Sequence, residues 1–280
     1  MFKSNFHTHS NFSDGSAPPI AYVEEAIRQN FMAIGFSEHA PLPFNHYYMI
    51  SEEKIAEYIA TIKSLSLKYK NIINIYLSLE IDYVPKLSQS FKWFREKFGL
   101  DYTIGSIHLV RNPKNNKLWF IDGADIALYD NGLQEAFNGD IKLAVTTYYE
   151  QIQQMIKNEN PDVIGHLDKI KMNNKNRYFS ENETWYKHLS ESIIKNIPGN
   201  KCIVEVNTRG IYKKRGNELF PGIEILKLLY TNNIPITISS DAHQPDEISG
   251  AFNETLILLK DIGFKKIHTF EEKRWISVDI

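Results

Sequence analysis

The chain alternates between two hydrophobic patterns. Short runs dense in β-branched and aromatic residues are followed by stretches in which apolar residues recur every three or four positions, the spacing of one helix face. Phe2 and Phe6 fall on one face of a period-two pattern, which predicts a short strand. SAPPIAYVEEAIRQN then reads as a helix start, with Ser16 as a cap, Pro18 and Pro19 in the first turn, and Ile20, Val23 and Ile27 on one face. FMAIGFSEHA is a strand ending at Glu38-His39. A helix follows from Ser51, with Ile55, Ile59, Ile62 and Leu65 on one side. INIYLSLEIDY is a strand carrying Glu80 near its end. LSQSFKWFREKFG is a helix closed by Gly99. DYTIGSIHLV is a strand ending near His108.

The alternation breaks between 109 and about 140, where a Pro-Lys-Asn-Asn turn, LWFIDG and a polar stretch predict a long insertion lying over one end of the fold, where long loops often serve as lids. It resumes with the helix IKLAVTTYYEQIQQMIKNEN and the strand PDVIGHLD, ending at His166. A polar loop with Lys169, Lys171, Lys175 and Arg177 leads to the helix SENETWYKHLSESIIKN. CIVEVNT (strand), RGIYKKRGNELFPG (loop), IEILKLLYTNN (helix), PITISSDAH (strand) and a helix from about Glu247 to Ile262 complete the pattern. Regular strand–helix alternation implies a parallel sheet with crossover helices in one domain spanning 1–280. No Gly-x-Gly-x-x-Gly follows the first strand, so a dinucleotide-binding open sheet has no support.

The polar residues decide between an open sheet and a barrel. His7/His9, His39, Glu80, His108, His166, Glu205/Asn207 and Asp241 all fall at the carboxyl ends of successive strands. In a closed α/β barrel those ends share one face, where barrel enzymes keep their active sites. His7 and His9, two apart on a strand, point to the same side. The Ser13-Asp14-Gly15 turn could return a carboxylate over the same point. Six of the nine histidines, His243 included, lie at or just past strand ends, whereas His46, His188 and His268 read as surface or packing residues. Burying so many polar groups together is costly unless they bind something. Mixed imidazole and carboxylate ligands suit Zn, Mn or Fe better than calcium or magnesium.

Composition narrows the setting without changing it. At 42% hydrophobic, 24% charged and net charge −2, the chain is an ordinary globular protein with no electrostatic pull toward nucleic acid or anionic membrane. No apolar run is long enough to span a bilayer, and no apolar leader precedes the first strand. Cys202, the sole cysteine, excludes an intrachain disulfide and reads as core filler. Together these lead to the expectation of a cytoplasmic protein.

His7-Thr8-His9 with Ser13-Asp14-Gly15, then SEHAP, LEID, GSIH, GHLD and SSDAH, resembles the full motif set of the PHP (polymerase and histidinol phosphatase) superfamily, from residue 5 to about 250. GFSEHAP, GSIHLV, VIGHLDKIK and EVNTRG are most similar to its histidinol-phosphate phosphatases. The resemblance implies a distorted (β/α)7 TIM-like barrel with three divalent transition metal ions at its mouth. It implies that His7, His9, Glu80 and Asp241 hold one ion, that Glu80 bridges to a second completed by His108 and His166, and that Asp14, His39 and His243 hold the third. Asp14 stands where some relatives have His. Glu80, Asp241 and His243 become the candidate catalytic residues, and Arg177 and Arg209 the candidate phosphate clamp.

Three divalent ions against three carboxylates would leave the mouth at about +3, a trap for a phosphate dianion. A water shared by two ions loses a proton near neutral pH and becomes a nucleophile. No Gly-x-Ser-x-Gly elbow or Cys/His pair supports covalent hydrolysis. Phe44, Tyr47, Tyr48, Trp119 and Phe120 lie beyond strand ends, where they could line a ring pocket or pack under the insertion, and Lys213-Lys214-Arg215 either solvates a loop or meets substrate. The expected activity is metal-dependent hydrolysis of L-histidinol phosphate, with another small phosphate ester or nucleotide as the alternative substrate and a non-catalytic metal-stabilised module as the alternative class. The expected partner is a small phosphorylated substrate, with neither nucleic acid nor membrane; oligomeric state stays open.

Overall fold

The computed structural model describes residues 3–44, 46–199 and 201–280. The chain begins β1 (Ser4–Asn5), α1 (Pro19–Arg28), β2 (Ala33–His39), α2 (Glu52–Tyr69), β3 (Asn74–Asp82), α3 (Phe91–Phe98) and β4 (Ile104–Ser106). A hairpin of β5 (Leu109–Arg111) and β6 (Leu118–Phe120) and helix α4 (Ile126–Phe137) interrupt the alternation. It resumes with α5 (Ile141–Glu159), β7 (Val163–Ile164), α6 (Thr184–Lys195), β8 (Ile203–Asn207) and the short α7 (Arg209–Tyr212). After these come α8 (Ile223–Thr231), β9 (Ile236–Ser239), α9 (Phe252–Ile262) and a second hairpin, β10 (Lys266–Glu271) and β11 (Arg274–Asp279).

β1, β2, β3, β4, β7, β8 and β9 form one parallel sheet in chain order. Its ends meet just past β1 and β9. There Thr8 bridges Ala242 in parallel, with the His9 N–H donating to the Ala242 carbonyl at 2.8 Å and the Ala242 N–H to the His7 carbonyl at 3.2 Å. The sheet is therefore a nearly closed seven-stranded barrel, and its seam runs between two candidate ligands. All seven residues of β2 are buried, as expected of a parallel strand covered on both faces. Among the described residues, no helix is long and apolar enough to cross a membrane.

Local signals explain several boundaries. Ser90 caps α3 by accepting the Trp93 N–H, and Gly99 closes it in the left-handed conformation, φ 64°. α1 begins at Pro19 with Pro18 as its N-cap and no side-chain cap, so Ser16 is not the cap that its position suggests. Phe2 lies outside the described residues, and the first strand is only the pair Ser4–Asn5. Cys202 is buried core, as expected, and burial pushes its thiol up to about 11.

Two elements differ from the sequence pattern. The insertion is not a polar cover: α4 buries Tyr129, Leu133, Ala136 and Phe137. Trp119 is fully buried against Tyr129 and Phe137, donating its indole N–H to the Tyr129 carbonyl at 2.8 Å. It packs beneath the insertion and does not line a ring pocket. Gly132 permits this approach, since a Cβ there would lie 2.5 Å from the indole. The β10–β11 hairpin follows a two-residue turn, Glu272-Lys273, with both residues at positive φ. Such turns usually announce themselves as Asn-Gly or Asp-Gly. Phe270 of this hairpin sits 4.9 Å from Tyr76, 5.5 Å from Tyr102 and 5.3 Å from Trp275, centroid to centroid, in a satellite core with Phe6.

Phe270→Ala should therefore cost about 3–5 kcal/mol, the usual range for deleting a fully buried aromatic. Urea denaturation measures it; a loss below about 1 kcal/mol would show that the hairpin does not stabilise the barrel.

Candidate metal centre

The strand ends deliver the candidate ligands. His7 and His9 leave β1 with ring centroids 5.0 Å apart. β2 and β3 pair in register so that His39 lies opposite Glu80. Glu80 is 1% exposed, and its two oxygens face two different groups. Oε2 lies 3.2 Å from His7 Nε2, 3.5 Å from His9 Nε2 and 3.0 Å from His39 Nδ1. Oε1 lies 2.9 Å from His166 Nε2 and 3.6 Å from His108 Nε2, and accepts the Ser106 hydroxyl at 2.6 Å. Asp241, in the left-handed region at φ 54°, sets Oδ1 3.4 Å from His9 Nε2 and 3.8 Å from His7 Nε2. Asp14 lies 3.7 Å from His39 Nε2 and 3.2 Å from His243 Nε2. All nine sequence-predicted ligands thus meet at one end of the barrel.

The donor set fits cations. His7 Nε2, both ring nitrogens of His9 and Glu80 Oε2 are buried without a hydrogen-bond partner, which is costly for polar atoms unless they coordinate something. Potential ligand atoms of His9, Asp14, His39 and His243 lie within 4.8 Å of one another, as do those of His7, His9 and Asp241, and those of His39, Glu80 and His108. Side chains so placed could hold divalent cations. Protons partly balance the same charges. Burial opposes a charge on His7, but the Glu205, Glu80 and Asp241 carboxylates outweigh it and hold its pKa well above the usual value. Burial likewise opposes a charge on His108, yet Glu80 and Asp82 raise it to about 9. Burial and neighbouring His39 and His243 push His9 down. Burial would raise the Glu80 and Asp241 pKa values, but His7 and the surrounding cations hold both well below the carboxylate range.

A second layer of carboxylates holds the first. Glu205 accepts from His7 Nδ1 at 2.6 Å and from the His166 N–H at 2.8 Å, leaving His7 Nε2 to face the cluster. Asp82 accepts the His108 N–H at 2.9 Å and the Tyr48 hydroxyl at 3.0 Å. The strand-end position of Glu205 was legible; its partnership with His7 was not, because 198 residues separate them.

A cavity of about 500 Å³ opens above the cluster. Asp14, His39, His108, Asp241 and His243 line its floor; Tyr47, Tyr48 and Phe120 line one part of its wall, and Arg209, Lys213 and Arg215 another. Tyr48 stacks on Phe120 at 5.5 Å and 16°. Phe44 packs instead on the small core of Leu42, Val84 and Leu109. Arg209 is buried, with Nη1 on the Asp241 carbonyl and 2.6 Å from His243 Nδ1. Arg177 is not brought to the mouth: its guanidinium is held by both Asp130 oxygens, at 2.7 and 2.8 Å, on the insertion's outer face. That ion pair corrects the expectation of an Arg177 phosphate contact, whereas Arg215, from a run with an open role, does reach the cavity. Lys169, which the sequence places only in a polar loop, and Asp122 are further residues beside the cluster. Lys169 is 1% exposed, with Nζ 3.4 Å from Asp122 and 3.6 Å from Asp241.

A seven-stranded parallel barrel with imidazoles and carboxylates gathered at its carboxyl end defines a metal-binding β/α-barrel protein. The chain belongs to the PHP domain family, whose profile matches residues 5–209. It is 27% identical over 273 residues to the histidinol-phosphatase of Bacillus subtilis, covering 91% of this chain and 99% of that one. To the histidinol-phosphatase of Lactococcus lactis it is 25% identical over 277 residues, covering 96% and 95%. Its fold is similar to a Listeria monocytogenes structure at TM-score 0.77, with 20% identity over 90% of this chain and 99% of that one. It is also similar, at TM-score 0.69 and 21% identity over 98% of both chains, to the Lactococcus lactis histidinol phosphate phosphatase solved with zinc, L-histidinol and phosphate.

Removing a group that orients a ligating histidine commonly costs 10–100-fold in metal affinity. Glu205→Gln should therefore weaken divalent-cation binding by about that factor while the barrel stays folded. Competition against a chromogenic chelator measures this, and parental affinity in the variant would remove Glu205 from the role.

Proposed function

We propose that the chain is a metal-dependent phosphomonoesterase that hydrolyses L-histidinol phosphate to L-histidinol and phosphate, a step of histidine biosynthesis. The observation that carries the reading is the placement of Glu80, whose oxygens separate two groups of imidazoles beneath a cavity with cationic and aromatic walls. Whole-length similarity to histidinol-phosphatases supports the choice of substrate.

In this reading His7, His9, Glu80 and Asp241 hold one ion, Glu80, His108 and His166 a second, and Asp14, His39 and His243 a third. Zinc, manganese and iron suit such ligands. Bound divalent ions supply an acidified water and Lewis-acid stabilisation of the phosphoryl oxygens. The chain's own residues position the substrate. Arg209 offers directed N–H donors beside the cluster, where a guanidinium can meet two phosphoryl oxygens, and its contact with the Asp241 carbonyl fixes it there. Arg215 and Lys213 add positive charge on the same wall, and Lys213 is anchored by Glu247. Tyr47, Tyr48 and Phe120 offer an apolar face for the ring end of the substrate. Holding that end places the phosphoryl group over the cluster, so remote binding energy contributes to the rate.

Two outcomes follow. L-histidinol phosphate should be hydrolysed with a higher kcat/KM than p-nitrophenyl phosphate, despite its poorer leaving group. Steady-state rates on a panel of phosphate esters decide this: if histidinol phosphate is no better than unrelated alkyl phosphates, the substrate assignment fails and the phosphoesterase assignment survives. No phosphate release from any ester by metal-loaded protein would favour a non-catalytic module.

Arg209→Ala should lower kcat/KM about tenfold or more, equivalent to at least roughly 1.4 kcal/mol of transition-state stabilisation. Metal content is measured alongside, because Arg209 also braces Asp241 and His243. A variant that keeps its metal and its kcat/KM would place phosphate recognition elsewhere on the wall.

A further inference from the structure

Glu38 is a fully buried carboxylate that belongs to none of the ligand groups. It precedes His39 on β2, and adjacent strand residues point to opposite faces. While His39 faces the cluster, Glu38 turns toward the loop that leaves β1. There Oε1 accepts the Ser10 N–H at 2.9 Å and the Ser10 hydroxyl at 2.5 Å, while Oε2 lies 3.1 Å from the Ser10 nitrogen and accepts the Ser13 hydroxyl. The Ser10 carbonyl in turn accepts the N–H groups of Ser13 and Gly15. The turn is folded so tightly that a Cβ on Gly15 would lie 2.1 Å from the His9 carbonyl oxygen. Asp14 rides on this turn, with its side chain still 25% exposed. Asp14 has no strand of its own to aim it, unlike the other eight candidate ligands, which lie on or just beyond barrel strands.

We infer that Glu38 is a positioning residue: by tying Ser10 and Ser13 to β2, it sets where Asp14 stands relative to His39 and His243, and so governs cation binding at that corner of the site. The inference rests on Asp14, His39 and His243 being ligands. The role is one of geometry and not of charge, because the carboxylate makes its contacts through hydrogen bonds from neutral donors. A glutamine should therefore replace it. Its carbonyl can accept from Ser10, and its amide can donate to Ser13, whose hydroxyl is free to rotate into the accepting orientation.

Zinc titration against a competing chelator, on the full chain, tests this. Asp14→Asn first identifies the class of bound zinc that depends on this corner; if it changes no class, the ligand assignment itself fails. Glu38→Ala should weaken that same class about 10–100-fold, the scale set by other groups that orient a ligand, and leave the remaining zinc near parental affinity. Glu38→Gln should stay within about threefold of the parent. Parental zinc binding in a folded Glu38→Ala protein overturns the inference. So does an equal weakening of all classes, which marks general damage, or a Glu38→Gln loss as large as that of alanine, which marks a charge effect. Should Glu38→Ala fail to fold, Ser13→Ala removes a single tie: weaker binding in the Asp14 class supports the inference, and unchanged binding overturns it.

Discussion

Glu80 carries a carboxylate with five imidazoles around its two oxygens and one hydroxyl donating to it, at 1% exposure. A buried charge of this kind is sustained only by opposite charge or dense hydrogen bonding. The barrel supplies the geometry. β2 and β3 in register place His39 beside Glu80, and β4 and β7 end where His108 and His166 reach the other oxygen. In an open sheet, His7 and Asp241 would stand at opposite edges. The Thr8–Ala242 bridge brings them within 3.8 Å, so barrel closure and site assembly are one event.

The two-residue strand period builds a second layer behind the first. On β3, Glu80 enters the cluster, and Asp82, two residues on, holds the His108 backbone. On β8, Glu205 holds His7 and His166, while the Asn207 side chain donates to both Glu205 and Asp241 at 3.2 Å. On β2 the neighbouring positions split the work, His39 facing inward and Glu38 bracing the Asp14 turn. Each strand thus contributes a group that meets the cluster, a group that aims one, or both, which explains why strand ends here are so densely polar.

Much of this was legible because each signal was local. Alternation of strands and helices gave a parallel sheet, polar residues at strand ends favoured a barrel and pointed to eight of the candidate ligands, and the Ser13-Asp14-Gly15 turn pointed to the ninth. What escaped depended on distant partners or on unusual local chemistry. Arg177 lies in a basic loop, but its partner Asp130 is 47 residues away on a helix that seemed a polar stretch. That helix had a readable signal: Asp125 as its cap, then Tyr129, Leu133, Ala136 and Phe137 at helical spacing. The β10–β11 hairpin had little, since Glu272-Lys273 is poor turn chemistry for two residues at positive φ. Lys169 and Lys171 read as part of a polar loop and are in fact buried, Lys171 among Asp168, Glu181 and Glu218 at 2.8–3.2 Å. Only the fold could show three carboxylates waiting for it.

Candidate ligands form the floor of the cavity, so contact with the rest of a bound molecule falls to its wall. The insertion supplies one side of that wall, through Phe120, Asp122, Gly123 and Ala124. Its anchorage argues against a free lid. Trp119 is sunk in the main core, Asn173 donates to the Ile121 and Gly123 carbonyls at 3.3 and 3.2 Å, and the Tyr129 hydroxyl donates to the Ile170 carbonyl at 3.1 Å. The Asp122–Lys169 ion pair adds a tie beside the cluster itself. A surface held at so many points is already ordered before a ligand arrives, and little conformational entropy remains to be lost on binding. Selectivity at such a wall comes from the shape and charge it presents at rest, and substitutions that loosen its anchors would act on recognition without touching a single candidate ligand.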